Sequence, residues 1–154
     1  MIDTPQITQS TAIETAIIHL TVAPVEMRKV VGPGLRELMA AIRAQGVDPA
    51  GPWFIQQLRM PTDTFDFEIS VPVRKTVVAV GRVKPSRLPA TRVARTVHHG
   101  GYEGLGAAWG EFDAWIKAQG LQPAPNMWDV YLAGPESSPD PTQWRTELNR
   151  PLID

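Results

Sequence analysis

The chain contains no cysteine, which excludes disulfides, thiolate metal ligands and thiol nucleophiles together. Long apolar runs are missing too. The longest is a few residues, far short of the roughly 20 a membrane-spanning helix needs. No sign of charge dominates: 15 Lys and Arg stand against 16 Asp and Glu, a formal net charge of −1. A broad cationic field for nucleic acid is therefore absent, and no helix-turn-helix pattern replaces it. Met1 to Thr15 has neither the basic n-region nor the apolar h-region of a signal peptide and reads as a polar lead-in. His98 and His99 are adjacent, so in a strand they point apart, and no Asp/Glu/His cluster completes a metal shell. Gly100-Gly101-Tyr102-Glu103-Gly104-Leu105-Gly106 opens a helix but lacks the phosphate-loop lysine, so it reads as a tight turn. No Ser/His/Asp elbow is present. These absences leave a chain expected in the cytoplasm, with no cofactor, no metal, no membrane contact and no direct nucleic-acid contact.

At 154 residues, 43% hydrophobic and 20% charged, the sequence suits one stand-alone domain over residues 1–154, burying roughly 68–70% of its unfolded surface. Within it the chain resembles itself. Phe67-Glu68-Ile69-Ser70-Val71-Pro72-Val73 aligns with Thr146-Glu147-Leu148-Asn149-Arg150-Pro151-Leu152, with glutamates and prolines 79 positions apart. Upstream, Ala44-Gln45-Gly46 and Ala118-Gln119-Gly120 share an offset of 74. The repeats cover about residues 15–74 and 76–153. Each reads as strand, helix, strand, strand, and the link Lys84 to Pro89 is the candidate boundary.

Apolar spacing predicts helices over about Leu35 to Ala44 and Gly104 to Gln119, each stopped by a glycine. Strands are expected at Thr15–Val22, Trp53–Met60 and Phe65–Val73, with Pro61-Thr62-Asp63-Thr64 as a turn. Further strands are expected at Thr76–Val83, Thr91–His98, Asn126–Leu132 and Trp144–Leu152. The fold class is α+β: two such modules form one antiparallel sheet, with both helices on one face and a central ligand cleft. Arg74 to Arg95 collects Arg74, Lys75, Arg82, Lys84, Arg87, Arg92 and Arg95 with no acid among them. A solvated strand pair and loop is the simpler reading of that run, against an anion or partner patch.

A repeated carboxylate on equivalent strands suggests a cleft lining, with Glu147 and Glu68 as its candidates. Alternation puts Glu147 and Asn149 on one strand face and Thr146, Leu148 and Arg150 on the other, without fixing which points inward. Trp109 sits on the apolar helix face, where core packing competes with a ligand-facing role. Tyr102 lies beside the start of the second helix, and Tyr131 is in the strand after it. Aromatic rings around a buried carboxylate suit flat, apolar, cationic molecules.

His98 to Trp109, followed by Trp128-Asp129-Val130-Tyr131-Leu132 and Trp144-Arg145-Thr146-Glu147-Leu148 with Pro151-Leu152, resembles the gyrase-inhibitor-like small-molecule-binding superfamily. That group includes effector-binding domains of bacterial multidrug-sensing transcription activators. The resemblance implies paired strand-helix-strand-strand modules around a ligand cleft. It also implies Glu147 as the charge partner of cationic drugs, with Tyr131 and Tyr102 as lining. Where the family pattern has proline before the tyrosine this chain has Gly101, and Asn149 stands where an aromatic is usual. Two alternatives accompany multidrug or effector binding. One is hydrolysis of the electrophilic cyclopropane of DNA-alkylating natural products, with Glu147 and Glu68 as acid and base. The other is a protein-interaction module with gyrase as partner.

Overall fold

In the computed structural model, which describes residues 1–59 and 62–153, eleven elements follow one another among the described residues. They are β1 (Gln6–Gln9), β2 (Ile13–Val22), α1 (Met27–Ala44), β3 (Phe54–Gln57), β4 (Phe65–Pro72) and β5 (Lys84–Leu88). Then come β6 (Arg92–His99), α2 (Leu105–Ala118), β7 (Gln122–Pro123), β8 (Met127–Ala133) and β9 (Arg145–Ile153). The fold is α+β and its strand pairs are antiparallel. Met60 and Pro61, where the expected strand Trp53–Met60 ends and its turn begins, lie outside the described residues. No described helix is long and apolar enough to cross a membrane.

The chain divides into two units, Thr11–Ala90 and Met1–Ser10 with Thr91 onward. In the first the strand order is β5-β2-β4-β3; in the second it is β1-β6-β9-β8, with β7 beside β9. Both units thus place strand, helix, strand, strand in the same order. Each outer edge, however, comes from the segment preceding the other unit's first central strand. Lys84–Leu88 is therefore not a link but edge strand β5, paired with β2 from Ile17 opposite Lys84 to Ile13 opposite Leu88. Pro85 is tolerated there because an edge strand does not need every N–H for pairing. The N-terminal lead-in likewise supplies β1, which pairs with β6.

Helix α1 starts eight residues before the expected Leu35. Gly32-Pro33-Gly34, just ahead of the expected start, lies within the helix, where Pro33 sits on its exposed side and forfeits one backbone bond. Gly34 explains why the helix persists. A Cβ built there would lie 2.6 Å from the Cδ1 of Ile69, a fully buried residue of β4, so the absent side chain lets α1 seat directly on the sheet. Leu38 and Ile42 extend that buried contact, both 0% exposed. In the second unit Ala108, Phe112 and Ile116 of α2 pack on Ala94, Leu148 and Leu152. Burying one such side chain contributes about 1.5–3 kcal/mol.

Both helices end at a glycine in the left-handed region, Gly46 at φ 68° and Gly120 at φ 72°. The expected strand Thr76–Val83 is instead an irregular segment ending in a tight turn. There Val80 and Val83 exchange both backbone hydrogen bonds, at 3.0 and 2.9 Å, around Gly81 at φ 57°.

Gly34→Val is expected to destabilise the protein by roughly 1–3 kcal/mol through overpacking against Ile69. Gly32→Ala, whose Cβ would meet only the Arg36 guanidinium at 3.6 Å, should be neutral or stabilising by up to about 1 kcal/mol. Urea denaturation of the two variants checks the contrast; equal losses would remove the special role of Gly34.

Candidate functional site

Strand β8 alternates between two environments. Trp128 is opposite Asn149 and Val130 opposite Glu147 on one face, while Asp129 is opposite Leu148 and Tyr131 opposite Thr146 on the other. Leu148 belongs to the cluster beneath α2, so Asp129 and Tyr131 point to the helix side. There the Trp109 indole N–H of α2 donates to Asp129 Oδ1 at 2.8 Å. Asp129 keeps part of its surface, yet enough protein surrounds it that burial pushes its carboxyl up to about 7, with the Trp109 hydrogen bond working the other way. A carboxyl group lifted to about 7 on a residue that keeps some exposed surface is the least ordinary group in this unit.

Rings enclose it. Tyr102, in the short turn before α2, meets Tyr131 edge-on, with centroids 5.7 Å apart at 82°. It also lies 5.0 Å from Trp144 at 37°. The loop after β8 fixes this wall. Trp144 donates its indole N–H to Ser138 O at 2.9 Å, and a Cβ on Gly134 would fall 2.5 Å from the Tyr102 hydroxyl. Burial holds the Tyr131 phenol well above its usual range, reinforced by Asp129 and Tyr102. Tyr102 is shifted up by burial and by Glu136. Both hydroxyls thus stay protonated at neutral pH and able to donate.

His98 donates Nε2–H to Gly101 O at 3.0 Å, leaving Nδ1 as an acceptor. That Nδ1 and the Thr146 hydroxyl on the neighbouring strand are buried without a hydrogen-bond partner. A cavity of about 280 Å³ opens elsewhere in the unit, lined by Ile2, Asp3, Thr4, Pro5, Glu111 and Trp115, none of them part of the aromatic cluster. Among the described residues no three metal-ligating side chains gather.

A GyrI-like small molecule binding domain family matches residues 3–152. The chain belongs to this family. Among solved structures, the C-terminal domain of EcmrR superposes with a TM-score of 0.86 at 18% identity, over 98% of each chain. In an EcmrR–DNA complex the match has a TM-score of 0.85, and this chain spans 57% of that longer one. SAV2435 bound to tetraphenylphosphonium matches at TM-score 0.69 and 12% identity, over 98% of this chain and 94% of that one. A hydrolase from Listeria innocua matches at 0.65 and 14%, over 97% and 91%. At these identities the likeness concerns the fold. A search of curated proteins returns no match.

Within this GyrI-like chain, the residues singled out from the sequence separate. Trp109 bonds Asp129, Tyr131 shares its strand face and Tyr102 packs on Tyr131; Asp129 is an acid to which the sequence reading gave no role. Its signal was available: two positions before Tyr131 in one strand, it shares that ring's face. Glu147 and Asn149 leave the opposite face of β9 from Thr146 and Leu148. Glu147 is already engaged, 3.4 Å from Arg95 Nε and accepting from Asn149 Nδ2 at 3.1 Å. Arg95 in turn donates to Asn149 Oδ1 at 2.6 Å, closing the network. In the other unit Glu68 occupies the corresponding place on its central strand, between His19 and Gln56. Burial raises its carboxyl, opposed by His19. Gly101, standing for the family's proline, has φ −72° and ψ 167°, values a proline would also adopt.

Trp109→Phe removes the one hydrogen bond that lowers the Asp129 pKa. Carboxyl-resolved NMR titration should then find Asp129 titrating above about 7; a fall would show that the indole does not stabilise the carboxylate.

Proposed function

We propose that this GyrI-like domain binds apolar organic cations on the α2 side of β8, with Asp129 as charge partner and Tyr102, Tyr131 and Trp144 as walls. The carrying observation is a carboxyl group on a partly exposed residue whose surroundings lift it to about 7. Folding has placed an acid where ionising is costly, and a bound cation would recover that cost. The aromatic faces supply stacking and cation–π attraction. SAV2435, solved with the lipophilic cation tetraphenylphosphonium, supports the ligand class. Multidrug or effector binding is thus favoured over hydrolysis, because Arg95 and Asn149 already occupy the Glu147 carboxylate. The shared strand order of the two units supports reading the chain as an internal duplication. The absence of cysteine suits a reducing compartment such as the cytoplasm.

The sign of the pH dependence follows directly. Below about 7 Asp129 holds a proton that a permanent cation must displace, so affinity rises with pH. Tetraphenylphosphonium should bind roughly tenfold more weakly at pH 6 than at pH 8, as linkage requires. Neutral triphenylphosphine oxide should show no such trend. Asp129→Asn should flatten the cation's profile and weaken binding at pH 8 by about 1–3 kcal/mol, read by calorimetry. A flat wild-type profile, or equal losses for cation and neutral, would overturn Asp129 as charge partner.

The same shift bears on stability. Asp129's folded pKa lies above its unfolded value, so its ionisation costs stability progressively as pH rises from about 4 to 7. Asp129→Asn, which keeps an acceptor for Trp109, should therefore stabilise the ligand-free protein at pH 8 by roughly 1–3 kcal/mol and change little at pH 4. Denaturation at the two pH values measures this.

A further inference from the structure

The segment from Arg74 to Lys84 is irregular in backbone yet firmly held. Val77 and Val83 are buried, 3% and 1% exposed, and anchor it at both ends. Gln45, just past α1, uses its side-chain amide on both backbone groups of Val78, donating to the carbonyl at 2.9 Å and accepting from the N–H at 2.8 Å. Arg82 is bound to Glu37 of α1 through two hydrogen bonds, at 2.7 and 3.2 Å. Between these ties Val78 and Val80 face solvent, 73% and 54% exposed. Scattered exposed valines are ordinary. Here two, separated by one residue, sit exposed on a segment tied down by contacts that a disordered loop would not make.

The charges on the segment itself are one-signed. Arg74, Lys75 and Lys84 are exposed, and among the described residues no ion pair engages them, whereas Arg82 is paired with Glu37 and Arg87 with Glu14. We propose that Arg74–Lys84 is a docking surface for an acidic segment of a partner protein that carries apolar side chains between its acids. The Val78 and Val80 backbone groups are already paired, so recognition runs through side chains rather than strand addition. Valine loses little rotamer freedom on contact, and complementary charge steers the approach. A nucleic acid would leave the two valines unused. A membrane surface calls for larger apolar anchors, such as Trp, Phe or Leu on an amphipathic helix, and this loop has none.

The test uses isotope-labelled protein and a synthetic eight-residue peptide alternating Asp and Val, followed by NMR chemical-shift mapping. Saturable shifts confined to Arg74–Lys84 are expected, with affinity falling about threefold or more as salt rises from roughly 50 to 300 mM. The double variant Val78→Ser/Val80→Ser and the double variant Lys75→Glu/Lys84→Glu should each lose at least about tenfold, about 1.4 kcal/mol. Their unfolding curves and tetraphenylphosphonium binding should stay unchanged. A peptide alternating Asp and Ser should not bind. Shifts elsewhere, no shifts at all, or affinity retained in either double variant would overturn the proposal. So would vesicles of phosphatidylcholine and phosphatidylglycerol engaging this loop when the peptide does not.

Discussion

The contact on which the candidate site depends is the hydrogen bond from Trp109 to Asp129. It joins α2 to β8 where a carboxyl group, not an aliphatic side chain, lies under the helix. Around it, Phe112, Ile116 and Leu148 make the ordinary apolar seam. The seam fixes the distance between helix and strand, and with it the dielectric surroundings of Asp129. An acid so placed is held near its neutral form until something supplies positive charge. Stability and ligand affinity therefore pull in opposite directions at this residue, the usual relation at a binding site.

A second constraint is the close seating of each helix on the strands of its own unit. At α1 it is met by deleting a side chain, since Gly34 comes against Ile69. At α2 small Ala108 and the large rings of Phe112 and Trp109 share the surface, the last two 5.6 Å apart. The sheet faces turned from the helices are used differently. They carry Glu147 with Arg95 and Asn149 in one unit, and Glu68 beside His19 in the other. The repeated glutamate thus marks an equivalent strand position, while the group with the lifted carboxyl pKa under α2 is an aspartate that the repeat does not highlight.

Much of the architecture was legible in the residues. The helical spacing of Ala108, Phe112 and Ile116 placed α2, and the glycines at 46 and 120 placed the C-terminal ends of both helices. Alternation placed the strands from Arg92 to His99, Met127 to Ala133 and Arg145 to Ile153 within a residue or two. The failures have local causes. The start of α1 is expected after Gly32-Pro33-Gly34 because local propensity there opposes helix, but packing of Gly34 on Ile69 outweighs one lost backbone bond. Lys84–Leu88 reads as a linker because it is basic and holds a proline, yet an edge strand tolerates both.

What the sequence determined by itself was the period of each segment: which residues share a side of a strand or helix, and hence that Asp129 travels with Tyr131 and Glu147 with Asn149. Period two is symmetric between faces, so it cannot say which face is covered. Only the tertiary structure decided that, by laying α2 over Leu148 and therefore over Asp129. The physical reason is that a carboxylate's character is set by what surrounds it: paired with Arg95 on one side of the sheet, or enclosed beneath an indole on the other.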